Sequence, residues 1–246
     1  MSLRLLVRFV LIAVLSLLAA PAWADPDSGH VIEARGEVTI DWSLGVARAR
    51  GAAAGDLRAP SAAVARVGAE RTARATAREL LAGAAAAMAL ADDRTVEEST
   101  KDPAATARLD AVLDQTRLFH ADYGTDGSVV VAEQLPLEAV RLAVVGAPAP
   151  PPDTDGPTAV LVDARKALDG PVLGLTLSAG GERYAGPTIF YRATAAARGD
   201  ARLGDRVVDA RATARNGETL TLADGADVAK LRRAGALVVV LLPVKR

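Results

Sequence analysis

The sequence predicts an α+β protein: an antiparallel sheet with one long and one short helix packed on it, then a second, small β-rich α+β domain. Three observations predict it. Short β-like runs separated by glycines open the chain, as in Val38-Thr39-Ile40-Asp41-Trp42 ahead of Gly45. A long alanine-rich stretch of strong helix formers follows from Ser61 to about Ala91. A cluster of prolines, Pro148, Pro150, Pro151, Pro152 and Pro157, then divides these elements from a further set of strand patterns.

The first 24 residues read as a secretory leader. Arg4 and Arg8 precede an apolar run from Phe9 to Ala20, Pro21 breaks it, and Ala22-Trp23-Ala24 offers small residues at the positions a signal peptidase reads. The run spans 12 residues, against roughly 20 for a membrane-crossing helix. Cleavage before Asp25 is expected, which leaves no transmembrane span and a periplasmic protein, free or peripheral at the outer membrane. The leader takes away two arginines and no acid, so 27 basic residues face 30 acidic ones in the mature chain. That balance argues against a nucleic-acid binder. There is no cysteine. Acylation at the cleavage site, thiol catalysis and cysteine-held zinc or iron–sulfur centres are excluded with it.

The mature chain divides into residues 25–145, a proline-rich spacer at 146–157, and residues 158–246. In the first part, strands are expected at Val31–Ala34, Glu37–Trp42 and Val46–Arg50, joined through Gly36 and Ser43-Leu44-Gly45. Pro60 suits the first turn of the long helix. Ala65, Ala69, Ala73 and Ala77 repeat every four residues and define a stripe able to approach a sheet closely. Arg66, Glu70, Arg74 and Arg78 form a second stripe, read as a solvated face rather than an anion site. Asp92-Asp93 and Glu97-Glu98 read as loop solubilisers. Asp102 and Pro103 suit the N-cap and first position of a short helix that ends near Asp114 or Gln115. Leu118–Tyr123, a turn at Thr125-Asp126-Gly127, and Ser128–Leu135 make a hairpin.

In the second part, strands are expected at Ala159–Val162, Val172–Leu177, Glu182–Tyr184, Arg206–Ala214, Glu218–Leu222 and Ala236–Leu242. Asp224 is a candidate cap for a helix at Ala226–Arg233. Thr188–Ala197 fits either strand or helix.

No constellation announces a reaction. His30 and His120 are the two histidines, and neither accompanies a G-x-S-x-G elbow. Phosphate-cradling motifs are absent from the sequence. The expectation is therefore no catalytic, metal or cofactor residue. Asp163, Arg165 and Trp42 are the candidate ligand or partner contacts. Asp163 and Arg165 share one side of a strand if it continues that far, as a polar site or as an ion pair.

Several motifs follow one another in a recognisable order. Gly36-Glu37-Val38-Thr39-Ile40-Asp41-Trp42-Ser43 leads to Gly45-Val46 and Gly51. Asp126-Gly127-Ser128-Val129 leads to Leu135-Pro136-Leu137. Thr158 through Arg165, then Gly181-Glu182-Arg183-Tyr184-Ala185-Gly186, complete the series. Together they resemble the Lpp-twenty lipoprotein family of exported bacterial proteins, and the N-terminal module of flagellar assembly protein T is similar to that family. The resemblance runs from about Val31 to Leu242. It implies an α+β envelope module at the outer membrane or flagellar apparatus, with envelope proteins as partners and no catalytic residue to carry over. Lys166 and Ala159 stand where that pattern has glycines, and the family's lipidation cysteine is missing. A structural or assembly role is the expected function. The alternative is a binding module for a cell-wall or small anionic ligand held between the domains. A hydrolase that brings Asp41 and Asp163 into one pocket is the third reading.

Overall fold

The computed structural model describes residues 29–146, 155–223 and 225–244. The expected leader, most of the proline spacer and the expected cap Asp224 lie outside them. The fold is α+β, built on two sheets.

The first sheet is wholly antiparallel. Its strands are β1 (Ile32–Arg35), β2 (Val38–Asp41), β3 (Val46–Ala53), β4 (Arg117–Tyr123) and β5 (Val129–Pro136), in spatial order β1-β2-β3-β5-β4. Helix α1 (Ala62–Ala86) lies across β3 and β5. The alanine stripe explains how. Ala69, Ala73 and Ala77 are buried, and the helix backbone comes so close to β3 that only glycine fits at position 51. Ser61 caps α1 by accepting from Val64 N, which places Pro60 one residue ahead of the cap. Thr95 and Glu98 form a reciprocal capping box around the single turn α2 (Val96–Ser99). Asp102 caps α3 (Pro103–Leu113), with Pro103 at its start. Helix α4 (Leu137–Val145) was not expected. It begins directly after β5, and the apolar run from Leu135 to Val145 reads in sequence as the end of a strand and of a domain.

The second sheet is mixed and has seven strands in the order β8-β7-β11-β10-β6-β12-β9. These are β6 (Ala159–Asp163), β7 (Thr176–Ala179), β8 (Glu182–Tyr184), β9 (Thr188–Tyr191), β10 (Val207–Asn216), β11 (Thr219–Leu222) and β12 (Leu237–Leu241). β10, β6, β12 and β9 run parallel to one another, while β10 pairs antiparallel with β11; β6 and β12, each between two parallel neighbours, are nearly continuous apolar runs. The stretch expected as a strand at Val172–Leu177 forms strand only from Thr176. The ambiguous stretch resolves as β9 followed by α5 (Thr194–Arg198). Asp227 caps α6 (Val228–Ala234), its carboxylate accepting from Lys230 N at 2.8 Å.

One buried cluster runs from Val31, just before β1, to Leu242, just after β12. Backbone bonds stitch the two sheets together at two places. At the first, Phe190 N donates to Trp42 O at 3.1 Å and Arg192 N to Gly29 O at 2.7 Å. At the second, Ala91 N donates to Leu173 O at 2.8 Å and Leu173 N to Ala89 O at 3.0 Å. Among the described residues, no helix is long and apolar enough to cross a membrane.

Candidate functional site

Trp42, Asp163 and Arg165 occupy two different settings. Trp42 directly follows β2 of the first sheet and is 2 % exposed. Its ring meets Phe190 of β9 edge-on at 5.9 Å, and its indole N–H reaches Glu33 at 3.3 Å. It is a contact within the chain, between the two sheets. Asp163 closes β6, and Arg165 grips it with Nη2 to Oδ2 at 2.6 Å and Nε to Oδ1 at 2.9 Å. That pairing holds the Asp163 carboxyl below the usual carboxylate range, with Arg211 adding a smaller favourable field. Asp41 does something else again. Its Oδ1 accepts from Ser43 N at 3.1 Å and Leu44 N at 2.8 Å, closing the turn between β2 and β3. Neither Asp41 nor Asp163 lines any described pocket. Among the described residues, no three His, Cys, Asp or Glu side chains gather as a metal would require.

Around Trp42 lies a polar seam that residue patterns do not reveal. Ser43 is fully buried. Its Oγ accepts from Val31 N at 2.8 Å and donates to Phe190 O at 2.5 Å, so one hydroxyl ties β9 to the start of the first sheet. Arg202 reaches in from the other side. Its guanidinium donates to Ser43 O at 2.5 Å and Leu44 O at 3.0 Å while pairing with Asp200. The hydroxyl of Tyr191 donates to Asp200 at 2.7 Å. Ser43→Ala is expected to cost about 2 kcal/mol, because it strands a buried N–H and a buried carbonyl. Chemical denaturation of the two proteins checks it.

The seam also titrates. Arg202, helped by its backbone N–H and by Tyr191, holds the Asp200 carboxyl down at about 2, from 3.8. A carboxyl lowered on folding contributes stability above its unfolded value and loses it as the pH falls toward its folded value. About 2 kcal/mol should disappear between roughly pH 4 and pH 2. Melting temperatures across that range should fall less steeply in Asp200→Asn than in the parent. At the alkaline end, burial first and the Asp200 contact second push the Tyr191 hydroxyl up to about 12. Its contribution is present below about pH 10 and is lost as the pH rises toward 12.

The second stitch borders a small cleft of about 190 Å³. Asp92, Arg94, Ser99, Gly174 and Glu218 line it, with Val144 and Val145 of α4. Arg94 pairs with Asp92. Asp93 pairs with Arg215 at 2.8 Å and Glu98 serves its capping box, so these acids have structural partners. The Oγ of Ser99 is buried without a hydrogen-bond partner among the described residues.

Among the described residues, the first sheet ends in an open edge at β4. β4 pairs with β5 on one side, and none of its residues is buried. Leu118 is 41 % exposed, Phe119 45 % and Tyr123 49 %. The stripe read as a solvated face runs above this edge. Arg74 pairs with the fully buried Glu133 of β5, Arg78 Nε donates to Thr116 Oγ1 at 3.0 Å, and Glu70 accepts from the Tyr123 hydroxyl at 3.1 Å. Those side chains anchor the helix to the hairpin. The histidines have local roles as well. His30 stacks edge-on against Tyr191 at 5.2 Å, and His120 lies 3.0 Å from Asp122. Compared with known proteins, the chain matches no protein-family model and no curated relative.

Proposed function

We propose that this chain is an exported, non-enzymatic envelope protein that acts by joining other proteins, as part of an assembly at the outer membrane or the flagellar apparatus. The carrying observation is the β4 edge. Seven consecutive residues, none of them buried and three of them the exposed apolar side chains Leu118, Phe119 and Tyr123, form the edge strand of a sheet, and an unpaired strand edge is a template for another chain. The leader at residues 1–24 and the order of Lpp-twenty-like motifs support the compartment and the class. Crosslinking in cells that make the chain, followed by fractionation, tests the reading. Recovery in a large complex with outer-membrane or basal-body proteins supports it, and recovery as a free periplasmic species counts against it.

A second reading rests on the buried, unpartnered Ser99 Oγ at the cleft between the sheets. It makes the chain a receptor for a small polar wall fragment. Such a ligand would raise the melting temperature in proportion to its occupancy. A screen of wall fragments and small anions that leaves the melting temperature unmoved rejects it.

A further inference from the structure

We infer that β4 pairs antiparallel with β4 of a second copy, in the register that sets Arg117 against Asp122 of the other chain. This rests on the protein-contact reading and names one partner for it.

The argument begins with a bulge. Opposite β5, Leu118 faces Glu133 and His120 faces Ala132, so Phe119 is an extra residue. A residue inserted this way changes which side chains share a face. Leu118, Ala121 and Tyr123 lie opposite Glu133, Val131 and Val129. That is the α1 face, where Glu133 meets Arg74 and the Tyr123 hydroxyl meets Glu70. Arg117, His120 and Asp122 lie opposite Gln134, Ala132 and Val130, on the other face. Phe119 joins them there, with Arg48 4.4 Å over its ring and bonded to Gln134 at 3.1 Å.

Two copies of a strand related by a two-fold axis must match faces across the new ladder. In an unbulged strand, Arg117 and Asp122 would point to opposite faces, because side chains alternate. With Phe119 inserted they share one. Among registers that engage five or more residues of each strand, one alone keeps every pair on a common face. It sets Arg117 against Asp122, Leu118 against Ala121 and Phe119 against His120, each pair occurring twice. Opposite charges meet, a leucine meets an alanine, and an aromatic ring meets an imidazole. Charges that guard an edge against pairing repel or desolvate when two edges meet. Here the face-matched register brings them together as two ion pairs. Arg117 and Asp122 are both exposed and contribute nothing to the core, so exchanging them leaves the fold intact.

Sedimentation velocity on the purified full chain tests the inference. The parent chain should dimerise. Arg117→Asp and Asp122→Arg each place like charges opposite one another twice, and each should weaken the dimer about tenfold or more. Mixing the two variants, or combining both changes in one chain, restores opposite charges and should restore the dimer. A parent chain that stays monomeric overturns the inference. So does a dimer that neither single variant weakens, because it then forms through another surface. Circular dichroism of both variants confirms that they fold. A monomer that still comes down in a large envelope complex sinks the self-pairing and leaves the assembly role standing. A dimer recovered from cells with no other protein does the reverse.

Discussion

Gly51→Ala destabilises the protein by about 3 kcal/mol, although it adds one methyl group. Gly51 lies within β3, directly beneath α1. A Cβ at that position would sit 1.9 Å from Ala73 O, 2.8 Å from Ala77 N and 2.9 Å from Ala73 C. All three are helix backbone atoms, so no rotamer change relieves the clash. The helix must lift away from the sheet, and the fully buried side chains of Ala73 and Ala77 lose contact with it. Close packing between a sheet and an alanine-faced helix leaves no slack for that movement. For a chain of this size the melting temperature should drop by roughly 6–12 °C. The control is Gly83→Ala on the same helix, where an added Cβ meets nothing within 4 Å. Alanine in an exposed helix position is favoured over glycine by about 0.8 kcal/mol. The two substitutions are chemically identical and should shift the urea midpoint in opposite directions. A Gly51→Ala protein as stable as its parent would show that α1 does not rest on β3 as described.

The same helix shows what local patterns carry. The spacing of Ala69, Ala73 and Ala77 gives the buried face of α1 without knowledge of what covers it. Ser61 and Asp102 mark helix starts because capping is chemistry between residues three apart. The hairpin of β4 and β5 is equally local. The second sheet is harder to read because its pairings are distant in sequence. β6 sits between β10 and β12, both of which come after it by more than 40 residues, and nothing in Ala159–Asp163 specifies either neighbour. Candidate-site residues divide in the same way. Asp163 and Arg165 pair two residues apart, and their ion pair is one of the two readings their spacing allows. Trp42 is a rare aromatic, and its partner Phe190 becomes visible only when the sheets meet. Ser43 and Arg202, which tie the sheets together, carry no signal of their own, since serine next to a turn and arginine in a loop are commonplace. The Phe119 bulge is invisible for a related reason: an inserted residue looks like any other until the partner strand is aligned. In sequence the Arg66–Arg78 stripe reads as solvated, because charge at helical spacing usually is. Glu133, embedded in a run of valines and alanines, was the available hint that one of those arginines turns inward.

That inward pair should be the most costly to break on one side alone. Glu133 is fully buried, and its Oε1 accepts from Arg74 Nε at 2.6 Å. Its Oε2 is buried without a partner among the described residues. Arg74 is therefore the main compensation for a carboxylate held away from water. Arg74→Met keeps the length and apolar body of the side chain and removes the charge and donors. Removing one partner of a buried pair costs about 3–5 kcal/mol, because the survivor is left desolvated and unpaired. Glu133→Gln in the parent leaves an arginine that is one-third exposed and can still reach water, so it should cost about 1–2 kcal/mol. Arg74→Met combined with Glu133→Leu replaces both charged groups with apolar ones and should recover most of the loss. A double-mutant cycle on urea denaturation measures the coupling. The exposed pair Arg198–Asp209 provides the comparison. Its ion contact is as short, at 2.7 Å, yet both side chains are more than half exposed, so breaking it should change stability by less than about 1 kcal/mol. Equal effects at the two pairs would mean that Glu133 is hydrated in solution and that the hairpin is not sealed beneath α1. A large effect confined to Arg74 would mean that the helix is pinned to β5 by charge as well as by alanine packing. The position of the β4 edge, and of any partner seated on it, would then depend on this one arginine.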